Sequence, residues 1–224
     1  MGKTIKIGNR LVGAESCLVI AEAGVNHNGD PILAKKLIEI AAESGADVVK
    51  FQKRTIDLVY TQEELDAPRE SPWGKTNRDQ KAGLEFSIQQ YIELKQYATD
   101  KKLDFIVSCW DLNALHEVEQ HLDVKYHKIP SALLTNKAFL EAINATGKPV
   151  IISTGMSNKD QIHAVDRIAL HEEVIALIHG GESFGYYCVW CESSGTVTCD
   201  DCDGDGCDNC DDNCEVKCDE CDGP

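Results

Sequence analysis

Residues 17–52 have the sequence CLVIAEAGVNHNGDPILAKKLIEIAAESGADVVKFQ, which is a strand–helix–strand pattern. CLVIAEAG (17–24) is a continuous apolar run that ends in glycine, as expected of a strand buried on both faces. Asp30 and Pro31 provide a cap and a first turn for a helix with an apolar stripe. DVVKFQ (47–52) is a second buried strand. The pattern predicts a βαβ unit, which builds parallel sheets.

The same alternation continues to residue 180. Four further buried strands follow, and helical stretches separate them. The predicted strands after the first two are 104–108, 124–129, 150–154 and 174–180; the predicted helices are 31–44, 87–101, 112–122, 136–146 and 158–169. Residues 3–13 predict a small hairpin. The polar stretch 53–86 interrupts the rhythm, and connections of this length in compact domains are often functional.

Two α/β architectures fit six strands that alternate with helices. A doubly wound sheet places a phosphate-binding glycine loop after its first strand, but AEAGVNHNG (21–29) does not match GxGxxG. A (β/α)8 barrel places polar residues at the carboxyl ends of all its strands, as this sequence does. We therefore predict an incomplete (β/α)8 barrel of the TIM type with six βα units instead of eight.

The strand-end residues have the chemistry of an anion pocket. They are lysines, hydroxyl residues, an amide, a carboxylate and a histidine: Glu22, Lys50, Gln52, Ser108, Lys128, Ser131, Ser153, Thr154 and His179. Lysines supply positive charge and hydroxyls supply hydrogen bonds to a phosphate or carboxylate. Each residue alone has a simpler explanation, such as a solvated lysine, a serine helix cap or a glutamate in a salt bridge. The joint pattern favours a binding site.

Five segments, in order along residues 3–180, resemble the N-terminal barrel of the sialic acid synthase family. They are IAEAGVNHNGD (20–30), GADVVKFQ (45–52), KTNRDQKAGLEFS (75–87), YHKIPSALLTN (126–136) and GKPVIISTGMS (147–157). The resemblance implies a (β/α)8 barrel and a transferase reaction in carbohydrate biosynthesis. That reaction condenses phosphoenolpyruvate with an N-acetylated amino sugar to a nine-carbon keto acid such as N-acetylneuraminate.

The resemblance also implies roles for individual residues. Five residues match by position the family's residues that bind phosphoenolpyruvate: Lys50, Gln52, Lys128, Ser131 and Ser153. Ser108 stands where the family has a hydroxyl residue near this ligand, and His179 matches the histidine of the sixth strand. Glu22 is placed beside the reacting carbon or the sugar, so that Glu22, Lys50 and Lys128 form the catalytic set. Residues 70–86 are expected to close the sugar side.

The sequence departs from the family at the metal. The family takes the ligands of its catalytic divalent metal from histidines in segments resembling SDH and ERH, and neither segment is present here. The C-terminal sugar-binding domain is also missing. We therefore expect the chain to be inactive alone, and a second chain or a homo-oligomer to complete the barrel. A truncated relic and a tail that covers part of the gap are the other possibilities.

A cysteine-rich tail follows the barrel. Of the eleven cysteines in the chain, nine lie in residues 188–224, together with nine aspartates, three glutamates and a single lysine. The tail accounts for −11 of the net charge of −16. We predict two domains, a barrel portion at 1–185 and a tail at 188–224. Cys17 and Cys109, outside the tail, are interpreted as small strand residues.

The tail contains four CxxC pairs, and its two halves align with a period of 19 residues that matches Val197 to Val216. The pairs are Cys188 with Cys191, Cys199 with Cys202, Cys207 with Cys210, and Cys218 with Cys221. Two such pairs fill one tetrahedral zinc site, so the tail is predicted to hold two structural zinc ions. Reduced thiols in a disordered tail, disulfides and an iron–sulfur cluster are the alternatives.

Residues 188–206 resemble the zinc module of J-domain co-chaperones, which implies a protein-binding tail. The alternative function is therefore a zinc-dependent protein-binding module on a truncated barrel scaffold. The acidic balance, 22 basic against 38 acidic residues, argues against nucleic acid and anionic membranes as partners. No apolar run has the length of a membrane span, and no secretory signal is visible before residue 17. We expect a cytoplasmic protein.

Overall fold

The computed structural model describes residues 5–7, 10–12, 17–166, 174–177, 196–198 and 215–217. The strands, in chain order, are β1 (Ile5–Ile7), β2 (Arg10–Val12), β3 (Ile20–Gly24), β4 (Val48–Lys53), β5 (Pro68–Ser71), β6 (Gly74–Thr76), β7 (Asp104–Cys109), β8 (His127–Ile129), β9 (Val150–Ser153), β10 (Val174–Leu177), β11 (Thr196–Thr198) and β12 (Glu215–Lys217). The helices are α1 (Pro31–Glu43), α2 (Ile56–Val59), α3 (Gln62–Asp66), α4 (Asn77–Leu84), α5 (Ile88–Asp100), α6 (Leu112–His121), α7 (Lys137–Asn144) and α8 (Lys159–Asp166), with a 3-10 turn at Ser131–Leu133.

Six strands form one curled parallel sheet, in the order β10-β9-β8-β7-β4-β3. Sequence neighbours in this series are also spatial neighbours, and each successive pair is joined through a helix: α1, α5, α6, α7 and α8. The strands lie parallel throughout, which requires such crossover connections. The six predicted strands and the α/β class are confirmed.

Most of the helices begin where the sequence supplies a cap. The Asp30 carboxylate accepts a hydrogen bond of 2.7 Å from the amide of Ile32, and Pro31 occupies the first turn of α1. Ser87 and Gln90 form a reciprocal capping box at the start of α5. These bonds satisfy amides that a helix leaves unpaired at its start. The predicted helix starts are therefore close to the observed ones.

The two faces of the sheet bury different sets of side chains. The face toward the helices carries the large core, which includes Phe51, Phe105 and Ile129. The inner face carries a small apolar cluster: Val48, Ile106, Tyr126 and Ile151, with Val12, Leu18 and Ile20 packed against it. Because successive side chains of a strand point to opposite faces, strands such as β4, β7 and β9 contribute to both clusters.

The stretch 53–86 was predicted as a long connection, and the structure instead folds it into regular elements. Helices α2, α3 and α4 and the antiparallel hairpin β5–β6 occupy it. Capping boxes at Thr61 and Thr76 begin α3 and α4. Elements this short carry weak periodicity, which is why polar composition alone did not predict them.

Two further antiparallel strand pairs come before and after the strands of the main sheet along the chain. β1 and β2 pair antiparallel with Ile5 opposite Val12, which confirms the predicted N-terminal hairpin. β11 and β12 also pair antiparallel, with Val197 opposite Val216. The predicted domain boundary at 185–188 lies outside the described residues. Within the residues that the structure describes, no helix is long and apolar enough to cross a membrane.

Candidate active site

Five strands of the main sheet carry an apolar inner residue followed, two positions later, by a polar one. The pairs are Ile20/Glu22, Val48/Lys50, Ile106/Ser108, Tyr126/Lys128 and Ile151/Ser153. Residues two apart on a strand share a face, so the polar members lie on the inner face, toward the carboxyl ends of the strands. We call these five side chains (Glu22, Lys50, Ser108, Lys128 and Ser153) the inner polar layer.

Strand register brings the members of this layer together. Glu22 on β3 is opposite Lys50 on β4, and Ser108 on β7 is opposite Lys128 on β8. The Glu22 Oε2 atom lies 2.7 Å from the Lys50 Nζ atom. The Ser108 hydroxyl donates a hydrogen bond of 3.3 Å to the carbonyl of Lys128. Positions far apart in the chain therefore form one cluster.

Both lysines of the layer are buried, each with 4% of its surface exposed. A buried ammonium group is costly unless it is paired and hydrogen-bonded. Lys50 has the carboxylate of Glu22, whereas the Lys128 ammonium donates a 2.8 Å hydrogen bond to the carbonyl of Ile129. Burial, followed by the charge of Lys50, lowers the pKa of Lys128 to about 8, although Glu22 acts in the opposite direction.

The inner polar layer is therefore suited to an anion. Among the described residues it holds two buried cations, Lys50 and Lys128, and one carboxylate, that of Glu22. Ser108 and Ser153 add buried hydroxyl groups beside them. An anionic ligand entering here gains charge-assisted hydrogen bonds in surroundings that screen charge weakly.

Three further strand-end residues predicted for the site lie at the same edge of the sheet. Gln52 is half-buried, and its Nε2 atom would lie 3.6 Å from a Cβ atom added to Gly24, the last residue of β3. A Cβ atom on Gly155 would lie 3.8 Å from the Ser131 hydroxyl oxygen, so the turns after β8 and β9 are adjacent. Thr154 is buried directly after β9.

The remaining predicted site residues lie outside the described part of the chain. One is His179, which was predicted to bind substrate at the end of the sixth strand. The others are the eight cysteines predicted to bind zinc: Cys188, Cys191, Cys199, Cys202, Cys207, Cys210, Cys218 and Cys221. The roles predicted for these nine residues therefore stay predictions.

His27 belongs to a motif of the family resemblance, but no role was predicted for it. It is fully buried in the turn after β3, where its ring stacks on Phe86 with centroids 4.1 Å apart. Its Nδ1 atom accepts a hydrogen bond of 3.1 Å from the Gly29 amide. Burial and the charge of Arg54 lower its pKa to about 4, so His27 is neutral near pH 7. The position of His27 directly after the first predicted strand was the sequence feature that could have indicated a role for it.

Arg54, directly after β4, was also missed. Its Nε atom lies 2.6 Å from the Oε1 atom of Glu85, and its Nη1 atom donates a 2.9 Å hydrogen bond to the hydroxyl of Tyr60. The Arg54 and Glu85 side chains are almost buried. The pair joins the end of β4 to the segment after α4, and so holds the two ends of the 53–86 region together.

The ends of β4 and β7 are held by further bonds. The Tyr91 hydroxyl donates to the backbone carbonyl of Gln52, and the carboxylate of Asp111 accepts a 2.6 Å hydrogen bond from the Thr55 amide. Cys109 is buried on the helix side, and burial raises the pKa of its thiol, which agrees with a role in packing. Cys17 is exposed. The hydrogen bonds made by Tyr91 and Asp111 therefore anchor the strand ends that carry the site.

A cleft of about 600 Å³ opens at the opposite ends of the strands, near the start of β7. Its lining includes Lys95, Lys102, Lys125 and Asp104. Lys125 pairs with Asp104, and the Lys95 ammonium donates to the Asp123 carbonyl. Since barrel enzymes act at the carboxyl ends of their strands, we place the candidate site at the inner polar layer and not in this cleft.

A catalytic metal has no ligand set among the residues described. No group of three or more His, Cys, Asp or Glu side chains within them is arranged to hold a metal ion. Histidine is a common metal ligand, but the buried His127 points to the helix side of the sheet. There its Nε2 atom lies 3.1 Å from the Oε1 atom of Glu119. These residues therefore do not fit the divalent metal that the sequence resemblance implies.

Comparison with known families matches residues 37–186 to the NeuB family. The N-acetylneuraminate-9-phosphate synthase of Homo sapiens is 38% identical over 163 residues, which are 72% of this chain and 45% of that protein. The N,N'-diacetyllegionaminic acid synthase of Campylobacter jejuni is 40% identical over 148 residues, 65% of this chain and 44% of that protein. The chain thus spans a little under half the length of these relatives.

The solved structures include a similar barrel. The N-acetylneuraminic acid synthetase of Leptospira borgpetersenii, crystallised with citrate, superposes with a TM-score of 0.69 and 26% sequence identity. The match covers 80% of this chain and 59% of that one. This likeness agrees with the incomplete TIM-type barrel that the sequence predicted.

Proposed function

Because the chain belongs to the NeuB family, we propose that its inner polar layer binds phosphoenolpyruvate for condensation with an N-acetylated amino sugar. The product of that reaction is a nine-carbon keto acid of the sialic acid type. The observation that supports the proposal most strongly is the pair of buried lysines, Lys50 and Lys128, of which only Lys50 contacts the carboxylate of Glu22. Phosphoenolpyruvate carries a phosphate and a carboxylate, and this layer offers it two cations and two buried hydroxyls.

The proposed reaction forms one carbon–carbon bond and one carbon–oxygen bond, and it breaks the bond between C2 of phosphoenolpyruvate and its phosphate oxygen. The C3 atom of phosphoenolpyruvate attacks the aldehyde carbon of the sugar, whose oxygen takes up a proton. Water adds at C2 and gives up a proton, and inorganic phosphate leaves. Lys50 and Lys128 are proposed to hold the two anionic groups and to offset the charge that stays on them. Ser108, Ser131 and Ser153 orient these groups by hydrogen bonds, which brings C3 to one face of the pocket.

Glu22 is proposed to act at the border of the pocket. Its side chain is 49% exposed while its Oε2 atom contacts Lys50, so it borders both the buried layer and solvent. A carboxylate there is placed to hold a sugar hydroxyl or to move a proton as the new bond forms. Gln52 and Thr154 add polar contacts at the same edge. His179 keeps its predicted binding role as part of this proposal.

The metal step of the family is not assigned to this chain. The described residues do not fit a catalytic divalent metal, so the roles proposed for them are binding, orientation and proton movement. The prediction that a second chain or a homo-oligomer completes the barrel stays a prediction, as does the cytoplasmic location. The alternative of a protein-binding module on an inert scaffold is not favoured, because the relatives are synthases.

Calorimetric titration of the full chain with phosphoenolpyruvate tests the proposal. We expect saturable binding in the native chain and loss of at least tenfold in affinity for Lys50→Met. Lys53→Met is the matched control, because Lys53 lies on the same strand but contacts Glu117 on the helix side, with 3.0 Å between Nζ and Oε2. Equal binding by all three proteins, or none by the native chain, would contradict the proposal.

For the tail, we propose two structural zinc ions held by the eight cysteines of the CxxC pairs. The support is the spacing of the pairs and the antiparallel pairing of β11 with β12. In that ladder Val197 is opposite Val216, and these are the residues that the 19-residue repeat aligns. Metal analysis of the purified chain should give about two zinc ions per chain, and Cys199→Ser should lower that content. A metal-free chain would contradict this part.

A further inference from the structure

The two lysines of the inner polar layer differ in their partners. Lys50 has a carboxylate, with 2.7 Å between its Nζ atom and Glu22 Oε2. Lys128 donates to a neutral carbonyl, that of Ile129 at 2.8 Å. Within the described part of the chain no carboxylate lies within ion-pair distance of Lys128. One of the two buried ammonium groups is thus neutralised and the other is not.

Lys128 is faced by groups from the neighbouring strands. Two charged groups act on it, Lys50 from β4 and Glu22 from β3, with opposite signs. The adjacent strands add no charge opposite Lys128: β7 presents the hydroxyl of Ser108, and β9 presents the apolar side chain of Ile151. Lys128 is 4% exposed, so water screens these charges weakly. The empty pocket therefore disfavours the ammonium form of Lys128.

We propose that phosphoenolpyruvate, on entering the inner polar layer, draws a proton from the solvent onto Lys128, the buried lysine of the layer that has no carboxylate within ion-pair distance among the described residues. This inference rests on the proposed function, because it concerns the ligand named there. No covalent bond changes within the ligand: the proton passes from water or buffer to the Nζ atom of Lys128, and the resulting ammonium group pairs with the ligand. Near pH 8 and above, where part of the Lys128 side chains are neutral without ligand, binding of the ligand thus restores the positive charge of Lys128.

The size of the effect follows from the pKa of Lys128. Burial and Lys50 lower the pKa of its ammonium group to about 8 in the empty pocket. About half of the chains then carry a neutral Lys128 at pH 8, and binding should take up roughly half a proton per ligand. Since only the protonated fraction binds well, the affinity should fall by about tenfold between pH 7 and pH 9.

The experiment is calorimetric titration of the full chain with phosphoenolpyruvate at pH 8 in two buffers with different ionisation enthalpies. The difference in heat gives the number of protons taken up. Lys128→Arg keeps the charge but cannot lose it, so we expect no uptake and a flat affinity from pH 7 to 9. Lys50→Arg is the matched control and should retain the uptake. A phosphate group with its second pKa near 6 is already ionised at pH 8.

Equal proton uptake by the native chain and by Lys128→Arg would overturn the inference. An affinity of the native chain that does not change between pH 7 and 9 would also overturn it. This pH series uses the native chain alone, so it tests the inference even if Lys128→Arg fails to fold. Binding without uptake overturns the inference alone. Absence of binding at every pH overturns the proposed function, and the inference with it.

Discussion

His27, which is buried in the turn after β3, makes the free energy of unfolding depend on pH in a predictable way. His27 is fully buried, stacks on Phe86, and uses Nδ1 to accept from the Gly29 amide. With Nδ1 as an acceptor, the neutral ring carries its proton on Nε2. Burial, and then the charge of Arg54, lowers the pKa of His27 from 6.5 to about 4.

The sign follows from proton binding. Between pH 6.5 and 4 the unfolded chain binds a proton at His27 and the folded chain does not, so acid favours unfolding. The stability that His27 confers is present above about pH 6.5, is lost as the pH falls and levels off near 4. Between pH 7 and 5 the loss is about 2 kcal/mol. Glu119, with a pKa lowered to about 2, acts only below about pH 4.5.

Urea unfolding at pH 7 and at pH 5 measures this loss. His27→Phe keeps a ring against Phe86 and removes the titration, at a cost of about 1 kcal/mol for the bond to Gly29. We expect the native chain to lose about 2 kcal/mol more than the variant on going from pH 7 to 5. The other histidines are the same in both proteins, so any contribution they make cancels when the two losses are compared. Identical losses in the two proteins would refute the reasoning.

Two further variants test the packing of the 53–86 segment. At Gly83, a Cβ atom would lie 2.1 Å from Trp73 Cγ, so Gly83→Ala should lower the free energy of unfolding by about 1–3 kcal/mol. At an open helix position the same substitution would instead raise it by up to about 1 kcal/mol. A raised melting temperature for Gly83→Ala would contradict this expectation. Glu85→Gln leaves the charge of Arg54 nearly buried without a counterion and should cost about 3 kcal/mol in urea unfolding. Its control, Glu70→Gln, changes an exposed residue and should stay within about 0.5 kcal/mol; equal losses for the two would count against a structural role of the pair.

The inner polar layer was predictable because period-2 alternation and parallel crossovers are local signals with a global consequence. Once VVKFQ is a buried strand, Lys50 must share a face with Val48, and parallel strands must gather their carboxyl ends at one edge. The choice of Lys50, Ser108 and Lys128 as neighbours needed no long-range information beyond strand order.

Other features of the site were not predictable from pattern. The contact of His27 with Phe86 joins residues far apart in the chain, and the pair formed by Arg54 and Glu85 crosses the whole 53–86 segment. Both depend on how short helices pack, which composition does not reveal. The difference between Lys50 and Lys128 likewise arises only from which lysine lies beside Glu22.

A crystal structure of the full chain soaked with phosphoenolpyruvate tests the central claim most directly. We predict the ligand at the inner polar layer, with its phosphate and carboxylate oxygens in hydrogen-bond contact with the Nζ atoms of Lys50 and Lys128. Electron density for the ligand in the cleft lined by Lys95 and Lys102, with the inner polar layer empty, would contradict that claim.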